Sequence, residues 1–222
     1  VKIWKSRGLG VRGADGRLIP PDDPRVIALV RRAGDLGLPV LIHTADPRAF
    51  FDPLDAHNER LDELRGGARG WYGDRDRYPT FDALLSAHAA LVLASPQTQI
   101  IGAHVGCAAE DLDMVERLLR AAPNYHVDIA GRLAELGRQP RRFAKLVRDY
   151  PRRILFGTDS YPPTREAYEL HFRFLETSDE SFDYDPGERI PMQGRWCISA
   201  AHLDEPLLRL VYRENATRLL NG

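Results

Sequence analysis

Gln99-Ile100-Ile101-Gly102-Ala103-His104-Val105-Gly106 is an apolar run that meets a histidine and breaks on glycine. A short run this apolar, bounded by turn residues, reads as a strand buried on both faces, as strands of parallel sheets are. Four more runs have the same form: Val1 to Trp4, Pro39 to Thr44, Tyr125 to Ala130 and Arg153 to Asp159, each followed by a polar or glycine-containing loop. Between them the apolar spacing changes to that of helices. Asp23-Pro24 supplies an N-cap and a first-turn proline, after which Val26, Ile27, Leu29, Val30 and Ala33 form a stripe that ends at Gly37. Helices are also predicted from Phe81 to Ala94, Glu110 to Ala121, Pro140 to Tyr150, Arg165 to Glu176 and Glu205 to Leu220. Strands alternating with helices predict an α/β fold around a parallel sheet.

Two connections exceed the usual 2 to 6 residues or so of a βα loop. One runs from Thr44 to about Tyr78; the other follows Glu176 and carries Phe182-Asp183-Tyr184 and Gly194-Arg195-Trp196. Both are candidate lids or substrate walls. The chain shows no internal repeat beyond the βα period, and no domain boundary.

Of 222 residues, 43% are apolar and 28% charged, enough for a substantial core and too balanced for a disordered chain. Lys plus Arg number 31 against 32 Asp plus Glu, which provides no field to recruit nucleic acid or an acidic membrane. A small-molecule, roughly neutral substrate is expected instead. Cys107 and Cys197 are the only cysteines, in neither a disulfide nor a metal spacing, which suits a reducing, cytoplasmic setting. No apolar run approaches the roughly 20 residues that span a bilayer. The N-terminus lacks a signal-peptide pattern, and Val1-Lys2-Ile3-Trp4 reads as a strand already under way.

In a β/α barrel the active site gathers at the carboxyl ends of the strands. Val40-Leu41-Ile42 ends in His43, the quoted run in His104, His126-Val127 in Asp128, and Ile154-Leu155-Phe156-Gly157-Thr158 in Asp159. One such residue reads equally well as a hydrogen-bonded polar group at the barrel mouth; repetition on successive strands favours a site. Imidazoles and carboxylates converging there suit a divalent metal such as zinc, with a water activated at an open position. Asp128 lies within its strand and reads rather as an acceptor that orients a neighbouring histidine. Lys2 shares a strand face with Trp4, and is either a salt-bridged barrel lysine or a binder of a substrate carboxylate. His57, in the long loop, is a weaker substrate-binding candidate. His88, His126, His171 and His202 read as structural or solvated. Arg132, Glu135 and Arg138 form a charged rim, more often solvated than functional, in which one arginine, Arg132 for example, could grip an anionic substrate.

Val-Lys-Ile-Trp-Lys at 1–5, Pro-Val-Leu-Ile-His-Thr-Ala-Asp-Pro at 39–47, Ile-Gly-Ala-His-Val-Gly at 101–106, Val-Asp-Ile-Ala at 127–130, Ile-Leu-Phe-Gly-Thr-Asp at 154–159 and Glu-Asn-Ala-Thr-Arg-Leu-Leu at 214–220 together resemble the amidohydrolase-related family. Their branch is the one that includes aminocarboxymuconate semialdehyde decarboxylase. The resemblance implies a single TIM-type (β/α) barrel domain over residues 1–222, its strands matching the fourth to eighth of the family. It implies one divalent metal, usually zinc, and either hydrolysis of C–N or C–O bonds or loss of carbon dioxide without oxidation. His43 matches the metal-binding histidine of the fifth strand, and His104 the acid/base histidine of the sixth. Asp159 matches the eighth-strand aspartate, which binds metal or the activated water. Lys2 falls on the strand matching the fourth, where some amidohydrolases use a carboxylated lysine, a role this branch generally lacks.

The family's first strand carries a His-x-His pair, and no such pair occurs in this chain. Strands one to three, with two metal ligands, are then expected to be absent, leaving a barrel unable to close on its own five strands. A metal-dependent hydrolase is the leading expectation. A decarboxylase of the same family and a non-catalytic barrel module are the alternatives. An open edge would favour a homodimer.

Overall fold

The computed structural model describes residues 1–66 and 70–221. The five expected strands are present but short: Lys2–Ile3 (β1), Val40–Ile42 (β2), Ile100–Gly102 (β3), Tyr125–Asp128 (β4) and Ile154–Leu155 (β5). They form one sheet in the order β1-β2-β3-β4-β5, every pair parallel. Among the described residues β1 and β5 have one neighbour each, so the sheet is a partial (β/α) barrel whose two edges do not meet.

Register fixes which residues share a face. Ile3, Ile42, Gly102, Val127 and Ile154 lie in one cross-strand row; Lys2, Leu41, Ile101 and His126 lie in the row before it. Because side chains alternate along a strand, the first row points to the helices and the second to the opposite, barrel-interior side. Burial agrees: Ile3, Val40, Ile42, Ile100, Tyr125, Val127 and Ile154 are buried, whereas Leu41 and Ile101 are half-buried and Lys2 and Trp4 exposed. One residue beyond the Ile3–Ile154 row, pleating returns Trp4, His43, Ala103, Asp128 and Leu155 to the interior face at the strands' carboxyl ends.

The helices follow their sequence signals. Pro24–Asp35 opens on Asp23, whose carboxylate accepts from the Arg25 amide, and buries Val26, Val30 and Ala33. Leu29, expected in that stripe, is 52% exposed, since the buried face follows positions 26, 30 and 33 and turns it away. Phe81–Leu93 is capped by Thr80, Leu112–Ala121 by Asp111 and Arg165–Glu176 by Thr164; Pro140–Asp149 carries proline in its first turn. The last expected helix is Glu205–Arg209, a π-helical turn Leu210–Glu214, and Asn215–Asn221. Its Asn215 amide donates to Pro151 O and Ile154 O at 2.8 Å each, tying it to β5.

The two long connections meet over a short helix, Leu133–Leu136. Arg195 of the later loop makes a double hydrogen bond to Asp62 of the earlier one (2.7 and 3.0 Å). Arg138 pairs with Glu59 at 2.7 Å and lies 4.3 Å above the Trp196 ring, whose indole N–H donates to Ala134 O at 2.9 Å. Beneath them Arg60, 1% exposed, bridges Glu63 (2.8 Å) and Glu135. The expected solvated rim is therefore corrected at two of its three members. Arg132 and Glu135 are 4% and 2% exposed, Arg132 turned back onto Gly131 O beside the histidines and Glu135 held by Arg60 of the earlier loop, and Arg138 alone is exposed. Residues 67–69 of the first connection lie outside the described residues.

Candidate active site

His43 follows the last residue of β2 and points to the interior face. Its ring stands edge-on to Trp4 at 5.3 Å and to His104 at 4.5 Å, the latter with planes at 70°. Both ring nitrogens are buried and have no hydrogen-bond partner; the nearest acid oxygen, Asp46 Oδ1, is 3.8 Å from Nε2 and is also unpartnered. Asp46 Oδ2 accepts from Lys5 Nζ at 2.5 Å. Burial, followed by the charges of His104, Lys5, Lys2 and Arg132, brings the His43 pKa down to about 2, so the ring is neutral at pH 7.

His104 reaches the same place by a different route. Strand alternation would send it to the helix side, but the backbone turns left-handed there, with φ of 58°, 59°, 65° and 62° at His104, Val105, Gly106 and Cys107. Its amide donates to Asp128 Oδ1 at 2.8 Å, and Nδ1 lies 2.7 Å from Ala130 O. A carbonyl can only accept, so Nδ1 carries the proton and Nε2 is left as an acceptor. Burial and then the Arg132 charge lower its pKa to about 4.

Asp128 meets histidine at the backbone rather than the ring: it accepts from the amides of His104 (2.8 Å) and Ala130 (3.1 Å). Burial raises its pKa to about 6. Asp159, left-handed at φ 60°, comes beside His104 across Gly131. A Cβ on Gly131 would lie 3.4 Å from Asp159 Oδ2 and 3.7 Å from His104 Nδ1. Arg132, one residue on, donates to Gly131 O at 2.7 Å, and its charge bears on both histidines. Lys2 is exposed, with Nζ 5.2 Å above Trp4, and its charge bears on His43, His104 and Asp128.

His43, His104, Asp128, Asp159, Arg132 and Lys2 are thus brought together. His57 is not among them: it is exposed and lines a separate depression with Arg48, Asp52, Asn58 and Glu110. Reading the sequence missed Asp46 and Lys5, although Asp46 stands three residues after a strand-end histidine. It also missed the Arg60–Glu135 bridge, which joins residues 75 apart with no periodic signal.

The unpartnered His43 imidazole is what a metal ligand looks like without its ion. Yet among the described residues no group of three or more His, Cys, Asp or Glu side chains could hold a metal ion. The described donor set does not make a metal site by itself.

A parallel β/α sheet with histidines and acids at the carboxyl ends of its strands places the chain with the β/α-barrel folds. The amidohydrolase family model matches residues 5–222, and the chain belongs to that family. Comparison with curated proteins gives no match. Among solved structures it is similar to 2,6-dihydroxybenzoate decarboxylase from Rhizobium, at 16% identity and TM-score 0.52, covering 97% of this chain and 61% of that one. A dihydroxybenzoic acid decarboxylase from Polaromonas sp. JS666, with bound manganese and the inhibitor 2-nitroresorcinol, is 12% identical with TM-score 0.51, covering 95% and 57%. An uncharacterised TIM-barrel protein from Bordetella bronchiseptica gives 15% and 0.51, covering 99% and 57%. The chain spans about three-fifths of the length of these structures. Among the described residues no helix is long and apolar enough to cross a membrane.

Proposed function

We propose that the protein is a hydrolase of C–N or C–O bonds in a small anionic substrate, with His104 as the proton-accepting group. The observation that carries this reading is the Nδ1 contact to Ala130 O at 2.7 Å. It fixes the neutral tautomer whose Nε2 lone pair can take a proton from water. Arg132 supplies a buried cation beside the histidines and Lys2 an exposed one, and together they would hold a substrate carboxylate. Asp159, across Gly131, would orient the water or its product proton. A divalent metal, zinc or the manganese seen in the related decarboxylase, would take His43 as one ligand, Asp159 as another, and needs donors beyond those described.

Arg132 also favours a second reading, non-oxidative decarboxylation, because a buried guanidinium next to a proton-transfer histidine suits a carboxylate that is to leave. The two reactions separate in one assay. Zinc- or manganese-supplemented protein is given amides, esters and lactones that carry a carboxylate, and hydroxybenzoates in parallel. Acid release from the first group supports the hydrolase, carbon dioxide release from the second supports the decarboxylase, and neither product sinks both.

A further inference from the structure

Thr44, His88 and Tyr125 form a buried hydrogen-bonded chain that the proposed reaction does not use. His88, in the middle of Phe81–Leu93, is 2% exposed; its Nδ1 lies 2.6 Å from Thr44 Oγ1 and its Nε2 2.9 Å from the Tyr125 hydroxyl. Tyr125 opens β4 on the helix side of the sheet and is 1% exposed. Its hydroxyl fills the notch between the two glycines that flank His104. A Cβ on Gly102 would lie 2.0 Å from that oxygen, and one on Gly106 2.4 Å. At the other end, the Thr44 amide donates to Cys107 Sγ at 3.3 Å, and Thr44 is the neighbour of His43 in the chain. The path closes on itself from His43 through Thr44, His88 and Tyr125 to the turn that carries His104, and back through Cys107.

That turn needs holding. Left-handed backbone crowds the Cβ of any non-glycine residue against its own chain, and three of the four consecutive positions, including β-branched Val105, are not glycine. Such conformations persist only where the surroundings over-determine them. Relaxation of His104 to the extended region would carry its ring to the helix side, where Tyr125 and His88 already stand. Packing alone would be satisfied by phenylalanine at 125. A buried hydroxyl and a buried imidazole must instead pair with each other, which leaves them one arrangement.

We propose that Thr44, His88 and Tyr125 are positioning residues that hold the end of β2 to the left-handed turn and so set the His43 ring against the His104 ring. The proposal rests on the reading of those two histidines as site residues. Its test uses the nearly isosteric variants Tyr125→Phe and Thr44→Val in histidine-labelled protein, with Thr98→Val as control. Thr98 is buried and bonds Val30 O at 3.0 Å at the amino-terminal end of the sheet. In both test variants the imidazole NMR signals of His43 and His104 should move or split into two sets. Those of the exposed His57 and His202 stay, and the control lowers the melting temperature without moving any of the four. With a substrate in hand, turnover should fall about 10- to 100-fold at unchanged KM, the size expected for a misplacement near 1 Å. Unmoved His43 and His104 signals in both variants would overturn the proposal, whatever happens to stability. Moved signals in a protein without hydrolase activity would overturn the proposed function and leave the positioning role standing.

Discussion

His43 and His104 come from successive strands yet stand edge to face, ring centroids 4.5 Å apart, because one leaves its strand by ordinary pleating and the other by a left-handed turn. Neither ring is charged at neutral pH, since burial outweighs every acid nearby. Each neutral ring therefore offers one nitrogen lone pair and keeps one N–H, which in His104 is fixed on Nδ1 by Ala130 O and in His43 is free on either nitrogen.

The close approach at the foot of the turn leads to a steric prediction. Gly102→Ala puts a methyl 2.0 Å from the Tyr125 oxygen and 2.9 Å from Gly106 Cα, so it should destabilise by about 1–3 kcal/mol through overpacking. Adding Tyr125→Phe removes the nearest clashing atom, and the double variant should lose less than the two single losses combined. Urea unfolding of the four proteins checks this; strict additivity would show that the notch is not filled as described.

Arg60 bridges two buried acids beneath the loops, one of them far along the chain. Arg60→Ala leaves buried carboxylates without their cation and should cost about 3–5 kcal/mol. Arg195→Ala, which breaks the exposed pair with Asp62, should move stability little. Thermal melts of the two variants distinguish these outcomes, and equal losses would contradict the burial of the first pair.

Stability should fall in acid. His88, His104 and His126 have pKa values of about 4 and His43 about 2, all lowered chiefly by burial from 6.5. Below pH 6.5 the unfolded chain binds protons that the folded one refuses. The contribution is therefore complete above 6.5 and is lost as pH drops through about 4. Asp128 acts oppositely: its pKa, raised to about 6, gives stability at low pH that is lost on rising from 3.8 through 6. His171 is lowered and Glu110 raised as well, both chiefly by burial, so five histidines stand against two acids and the unfolding free energy at pH 4.5 should be lower than at pH 7.5 by on the order of several kcal/mol. Chemical denaturation at the two values tests the sign; a flat or reversed profile would contradict it.

Arg132 is assigned to the substrate's negative charge. Arg132→Ala should raise KM for an anionic substrate by about 10-fold or more, the loss of a charge-assisted bond, while an uncharged analogue is little affected. Steady-state kinetics on the pair of substrates measures it, and equal effects on both would assign Arg132 to the fold alone.

The sequence made much of this legible. Each strand is a short apolar run that stops at a polar or glycine residue, and parallel burial leaves little else such a run can be. His43, His104 and Asp128 could be located because they sit at strand ends, where the interior face opens. Asp159 was located in the same way, though it lies four residues past the end of β5. The turn at 104–107 was not legible, since Gly106 alone signals positive φ and the rest is held by Tyr125, a residue of another strand. Burial of Arg132 and Glu135 was misread as a solvated rim because it depends on tertiary partners that no local pattern announces, such as Arg60, 75 residues from Glu135. His88 was read as structural or solvated; it is buried and bonded at both nitrogens, a choice settled by Thr44 and Tyr125 at 44 and 37 residues' distance.

The central claim is that His104 transfers the proton in a site at the carboxyl ends of these strands, and replacing it tests that most directly. On the substrate that turns over, His104→Ala should lower kcat by about 100- to 10,000-fold, with substrate still bound and the metal content unchanged. A variant that binds substrate and turns it over at the parent rate would contradict the account.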